Sequence, residues 1–462
     1  MNKQLQDLLI TIVAGMGMLL STLDTGIINI ALPFLKEQFQ TSADIAAFTI
    51  TGYTLALAIS ILPLGVLSDK FGKLKISYLG FVLFGLSSLF CGLINNISLL
   101  IIGRIFQGIG AAALQATSAA LITTLVSEKR KNSSIGILGI MIGLGPILGP
   151  SLGGIILSLS FWQLIFLINI PFVIFGIACN NFLLNKLSEK NNNRQLDMLG
   201  ITINTLMLVS LLLGLSLLNK SHLFVVGIIL ILSSLLLGII FYYVELNNKH
   251  ALIDIKGLKN NPQVISYLFQ TVTFGFASAM IFLLPPFIFE QSYHLEVGQT
   301  GFLVLGAPTG LVLFSRISSK INNGNKNKLF SHIGLSIIII SLIFLLLINP
   351  NWPYQLLTLG LFIYGIGGGY FQPANIASIM QASPMEIQGS TGALQRMLQN
   401  VAISIGSAIG ATCLNIWSND LLLATRIGWG ITLILVIISL KEVFKFSHHN
   451  SCLLYTSDAA DE

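Results

Sequence analysis

Between Gly136 and Gly154 the chain reads GILGIMIGLGPILGPSLGG, and few kinds of fold can hold such a segment. Gly139 and Gly143, then Gly145, Gly149 and Gly153, recur at four-residue intervals ahead of Gly154, and Pro146 and Pro150 each follow a glycine. The run lies inside a long apolar stretch. Residues four apart share a helix face, so the pattern predicts a kinked helix with one face free of side chains. In lipid, helices associate by van der Waals packing rather than hydrophobic expulsion, and small residues let two backbones come close. Carbonyls freed at proline need repair by neighbours, which places the kink inside protein. A generic small-residue packing helix would use the same residues.

The rest of the sequence agrees with a membrane setting. Hydrophobic residues make up 54% and charged residues 9%, with a mean hydropathy of +0.84; an ordinary soluble domain has about a quarter charged residues. A spanning helix takes roughly 20 apolar residues. Apolar runs broken by polar clusters predict fourteen spans, centred near Gly17, Leu57, Leu83, Gly110, Gly145, Phe172, Leu208, Leu232, Phe276, Leu311, Ser341, Leu361, Ile405 and Leu433. The fold class expected is an all-α polytopic membrane protein.

An even number of spans puts both termini on one side. Lys and Arg concentrate in cytoplasmic loops. With the N-terminus inside, nineteen of the 24 bases face the cytoplasm and three (Lys36, Lys220, Arg426) face outward, while Arg104 and Arg396 lie within or near spans. The formal charge of +6 therefore reports topology and contact with anionic lipid head groups, not a nucleic-acid partner. The opening MNKQLQD leads straight into a long span without a cleavage site, so the first helix is expected to stay. Cys91, Cys179 and Cys413 fall in separate apolar runs, which predicts neither a metal site nor a disulfide framework.

Two Asn-rich polar segments, residues 185–197 and 245–262, divide the chain. The expected organisation is a six-helix bundle at 1–185, a linker with two extra spans at 186–262, a second six-helix bundle at 263–446 and a cytoplasmic tail at 447–451. The final CLLYTSDAADE, residues 452–462, breaks every preceding trend and reads like a translated sequencing adapter, so it is set aside from the fold.

A few polar residues stand where apolar ones are expected. Asp24 is the one carboxylate well inside a span; there it must face protein or water, and burial disfavours a charged carboxylate, which suits reversible proton binding. A hydrogen-bonded structural acid is the alternative. Arg104 has apolar residues on both sides and needs a partner or a wet cavity; a structural tie to carbonyls or to Asp69 would also meet that need. In the basic loop GVLSDKFGKLK, Gly72 predicts a tight turn, while Gly65, Asp69 and Lys73 flank it at a helix junction. Asn29, Tyr53, Gln107, Gln115, Gln270, Gln372 and Asn375 are the polar candidates for lining a cavity, each equally suited to an interhelical hydrogen bond. Gly149 to Gly153 fits GxSxG, but that pattern carries hydrolase chemistry only at a strand-to-helix turn. No GxxxxGK[ST] phosphate loop is present, so neither an enzyme nor direct ATP drive is expected.

Several of these motifs together resemble the major facilitator superfamily, and within it the fourteen-spanner drug:proton antiporters of the Emr/Qac type. The double Gly-Pro segment is similar to their antiporter motif, gxxxGPxxGPxxGG. The basic loop resembles GxLaDrxGrkxxL, and IIGRIFQGIGAAA around Arg104 resembles lixxRxxqGxgaa. STLDTGIINIALP resembles lDxTivNvALP, with Gly26 in place of Thr, and FWQLIFLINIP resembles WRWiFliNvPig, with Gln163 in place of Arg. The resemblance implies two six-helix bundles plus an inserted pair around a central cavity. It implies Asp24 as proton carrier, Arg104 in coupling, and Asp69 in a latch at the cytoplasmic gate. The implied activity is export of lipophilic or cationic compounds across the bacterial inner membrane in exchange for protons, driven by the proton gradient without a cofactor. An antiporter for one endogenous solute, such as a siderophore, a lipid-like metabolite or an organic anion, is the alternative, and a nontransporting module on the same scaffold a further one. A periplasmic adaptor and an outer-membrane channel stay open as partners.

Overall fold

The computed structural model describes residues 2–158, 161–187, 189, 196–218, 223–248, 251–322, 324, 326–349, 351–417 and 420–457. The side chains of 29, 30, 33, 43, 44, 146, 147, 150, 151, 158, 297, 298 and 441–457 lie outside that description, and with them those of Asn29, Pro146, Pro150 and the tail beyond residue 440. The described elements are helical throughout. They are α1 (Lys3–Gln38), α2 (Ala43–Phe71), α3 (Lys73–Leu93), α4 (Ile97–Leu125), α5 (Glu128–Ser158), α6 (Leu164–Leu167), α7 (Asn169–Leu184), α8 (Met198–Leu217), α9 (Phe224–Asn247), α10 (Ile255–Asn260), α11 (Pro262–Phe287), α12 (Val297–Leu303), α13 (Gly306–Ile321), α14 (Asn327–Leu347), α15 (Gln355–Gln381), α16 (Gln388–Ile416) and α17 (Leu421–Ser457).

Helices form here because a chain in lipid must satisfy its own backbone polar groups. Polar side chains mark their starts: Asn96 accepts from the amides of Ser98 and Leu99 to open α4, Asp197 accepts from Gly200 to open α8, and Asn261 opens α11 just before Pro262. Gly72, at φ +106°, turns α2 into α3 in one residue, in backbone geometry that L side chains rarely adopt.

Twelve candidate spans are long and apolar enough to cross a membrane among the described residues. The two remaining runs expected from the sequence, centred at Gly145 and Leu361, fall on α5 and α15, helices of 31 and 27 residues rich in glycine. Helices α1 to α7 pack as one group, with α1 along α5 and with α2 and α3 on α4; α11 to α17 pack as another, with α13 and α14 on α15 and α11 on α16. The groups meet where α5 lies on α13 and α15, and where α16 lies on α2 and α4. Helices α8 and α9 pair mainly with each other. Only 17% of the apolar window of α9 is buried, against 67% for α11, so the pair sits at the periphery with its Leu and Ile side chains turned outward.

Candidate functional site

Deep inside the first helical group, two charges from helices distant in sequence meet. Asp24 on α1 and Arg104 on α4 are both essentially sealed from solvent, and Arg104 Nη1 lies 2.5 Å from Asp24 Oδ2. Gln107, one turn along α4, donates through Nε2 to Asp24 Oδ1 at 2.9 Å and to Ser88 Oγ at 2.8 Å, and accepts from Arg104 Nη1 at 2.6 Å. Asn169, at the start of α7, adds a third donor to Asp24 at 3.3 Å. Arg104 Nε donates to the Thr49 carbonyl at 2.9 Å, and its guanidinium stacks 4.2 Å from the Tyr53 ring centroid and 5.8 Å from that of Phe166. A buried charge pair persists only when its remaining lone pairs and protons find partners, and here three side chains serve one carboxylate.

The network continues toward the second group. Tyr53 donates to the Ser21 carbonyl at 3.0 Å, Gln115 donates to Ser21 Oγ at 3.1 Å, and Asn400 on α16 donates to Gln115 Oε1 at 3.3 Å. Tyr53, Gln107 and Gln115 thus belong to one polar system with Asp24. Gln270 and Asn375 form another, within the second group. There Asn375 donates to Gln270 Oε1 at 3.2 Å, Ser331 donates to the same oxygen at 3.0 Å, and Thr271 donates to Asn375 Oδ1 at 2.8 Å. Gln372 is buried with neither amide atom hydrogen-bonded among the described residues.

Where the basic loop meets α16, Asp69 bridges the two groups. Its Oδ1 accepts from the Gly389 amide at 2.8 Å and its Oδ2 from the Ser390 amide at 2.7 Å, so a carboxylate sits on the positive end of α16. Lys73 Nζ approaches the same carboxylate at 3.3 Å. Close by, Thr123 on α4 donates to Gln388 Oε1 at 2.7 Å. Gly65 faces Ala393 and the Gly389 carbonyl so tightly that a Cβ has no room. The Gly72 turn is held in place by Glu189, whose carboxylate accepts from the amides of Lys73 and Leu74, both at 2.9 Å.

The glycines of α5 fall on two faces with different partners. Gly139 and Gly143 look toward the second group: a Cβ on Gly139 would stand 3.2 Å from Pro373 and Ser315, and one on Gly143 2.5 Å from Leu311. Gly145, Gly149 and Gly153 turn to α1 instead, where a Cβ on Gly149 would stand 2.6 Å from the Cα of Gly26. Gly154 meets nothing within 4 Å.

Sequence reasoning did not single out Asn169, Asn400, Glu189 or Arg396 as site residues. Arg396 is buried on α16, its Nη1 donating to Gln399 Oε1 at 2.8 Å while Nε and Nη2 have no partner among the described residues. The criterion that marks Arg104, a charge inside an apolar run, marks Arg396 too.

The sequence profile of the Major Facilitator Superfamily matches residues 14–407. The chain belongs to this superfamily. It is 30% identical over 403 residues to the riboflavin transporter RibZ of Clostridioides difficile (strain 630), covering 87% of each chain. It is 27% identical over 411 residues to the methylenomycin A resistance protein of Bacillus subtilis (strain 168), covering 87% of this chain and 86% of that one. Among solved structures, the proton:xylose symporter XylE superposes with a TM-score of 0.67 at 15% identity, over 96% of both chains, which establishes the shared major facilitator fold. The protein is therefore a multi-pass membrane protein of a transporter superfamily.

Proposed function

We propose that the chain is a proton-coupled antiporter of the fourteen-spanner drug:proton type, exporting lipophilic or cationic compounds from the cytoplasm. Its proposed organisation is a bundle at 1–185, a peripheral pair within 186–262 and a second bundle at 263–446, with fourteen spans, the basic end in the cytoplasm and the membrane that of the bacterial cell. The observation that carries the reading is the sealed Asp24–Arg104–Gln107–Asn169 cluster. A proton arriving on Asp24 removes the negative charge that holds Arg104, so the pair has two arrangements that differ in charge and in packing. Protonation and substrate binding that favour opposite arrangements disfavour each other by the same factor, which is how an inward proton drives a solute out. Asp69 on the α16 N-terminus and the Thr123–Gln388 contact support a cytoplasmic gate that is closed in this conformation.

A second reading, an antiporter dedicated to one endogenous solute bearing acidic or acceptor groups, is favoured by two observations. The carboxylate of Asp24 is already occupied by Arg104, and the buried Arg396 has two donors without a partner among the described residues. The relative named for riboflavin transport fits the same direction. Inverted vesicles separate the readings: under an imposed proton gradient, the first expects uptake of a lipophilic dye cation and the second expects uptake of riboflavin-like solutes without the dye. Uptake of neither in the presence of a gradient contradicts both.

A further inference from the structure

Arg396 and Arg104 are both buried guanidinium groups on spanning helices, yet they are treated differently. Arg104 has a carboxylate, a backbone carbonyl, a side-chain amide and an aromatic face, and leaves one nitrogen, Nη2, without a hydrogen-bond partner among the described residues. Arg396 has one amide oxygen, that of Gln399, and no carboxylate among the described ion pairs. The two nitrogens without a partner among the described residues are Nε and Nη2, which together form one edge of the guanidinium plane. That edge is the fork that grips a carboxylate or phosphate with two parallel hydrogen bonds.

The position of Arg396 along α16 places it at the seam between the bundles. Gly389 carries the amide bound by Asp69, Ala393 packs against Gly65, and Asn400 donates to Gln115. Arg396 lies one helical turn from Asn400 and one from Gly392, where a Cβ would stand 3.7 Å from the Ala116 carbonyl of α4. Residues at these three- and four-residue spacings share a helix face, and this face is the one that α16 turns to the first bundle. A structural arginine at such a depth would be expected to saturate its donors, because an unpaired buried charge is strongly destabilising. An arginine that waits for a ligand keeps them free.

Resting on the carrier reading above, the geometry points to Arg396 as a substrate anchor: its Nε–Nη2 edge binds an oxyanion, a carboxylate or a phosphate, on the transported solute. The anchor is independent of proton coupling at Asp24. Anion binding at this seam would also tie α16 to the solute just where α16 meets the gate, so occupancy would bear directly on the inter-bundle contact.

Thermal unfolding of the purified full-length protein tests this with three aromatic probes: 2-naphthoate, 2-naphthyl phosphate and the neutral 2-naphthamide. For the unsubstituted protein, the carboxylate or the phosphate is expected to raise the unfolding temperature at concentrations at least ten-fold lower than the amide requires, and the better of the two identifies the anion. Arg396→Gln should abolish the difference, and Arg396→Lys should leave a weaker preference because a point charge lacks the fork. Without probe, Arg396→Met should unfold at the same or a higher temperature, since it removes an unpaired buried charge. Equal behaviour of all three probes, no shift with either anion, or an anion preference that survives Arg396→Gln overturns the proposal. A lower unfolding temperature of Arg396→Met without probe assigns Arg396 to structure and also overturns it. Asp24→Asn should retain the anion preference, and transport by the unsubstituted protein that ignores the gradient, with anion binding intact, would count against proton coupling alone.

Discussion

Asp24 shows what a single charge can do in this setting. Its carboxylate receives hydrogen bonds from Arg104, Gln107 and Asn169, and all four residues are fully buried. Removing one partner of such a pair strands the other, at a cost of about 3–5 kcal/mol. Asp24→Asn should therefore unfold at a distinctly lower temperature in detergent, whereas the double substitution Asp24→Asn with Arg104→Gln should recover most of the loss without recovering coupled transport. An Asp24→Asn protein as stable as the parent would show that the two charges do not depend on each other. Both residues were legible in the sequence, because a charge inside an apolar run is costly wherever it lies. Their pairing was not: 80 positions separate them, and register between α1 and α4 is set by packing that no local spacing records. Arg396 met the same criterion in the sequence, and its functional weight became visible only when its donors could be counted.

At the scale of the element, α5 carries the clearest lesson. The four-residue glycine spacing predicts one bare face, but in the structure the glycines lie on two faces of α5 that meet different neighbours. Gly139 and Gly143 meet α13 and α15 across the bundle boundary, whereas Gly145, Gly149 and Gly153 meet α1. The division follows from the two-residue step between Gly143 and Gly145, which turns about 200° around the helix and puts the second glycine set on the opposite side. Gly26, which departs from the Thr of the pattern lDxTivNvALP, is the residue that Gly149 touches. Gly149→Leu should push α1 away from α5 and abolish transport while the protein still inserts, and Gly154→Ala should transport normally because nothing lies within 4 Å of the added carbon. Transport assays with membrane-extraction controls read both; an active Gly149→Leu protein would contradict the close-approach account.

For the whole molecule, the consequence lies in how the bundles are held together. Asp69 anchors the start of α16 from across the boundary, and Thr123 and Gln388 meet beside it. A carboxylate on a helix N-terminus contributes about 1–2 kcal/mol in a partly buried setting, so its loss should shift the balance between closed and open gate roughly five- to thirty-fold. In a Thr123→Cys, Gln388→Cys background, cross-linking should be efficient with Asp69 in place and fall sharply with Asp69→Asn; unchanged cross-linking would remove the latch. The superfamily fold and the basic end were readable from hydropathy, charge bias and loop motif. Which amides Asp69 would meet was not, since the register between α2 and α16 is set by packing that no local spacing records. Proton coupling through Asp24 remains the central claim. It is tested most directly by imposing a proton gradient on inverted vesicles and following the uptake of a fluorescent lipophilic cation by the parent protein and by Asp24→Asn at equal membrane levels. Uptake that needs the gradient in the parent and disappears in Asp24→Asn is the expected result; uptake that proceeds equally in both, or that ignores the gradient, would contradict it.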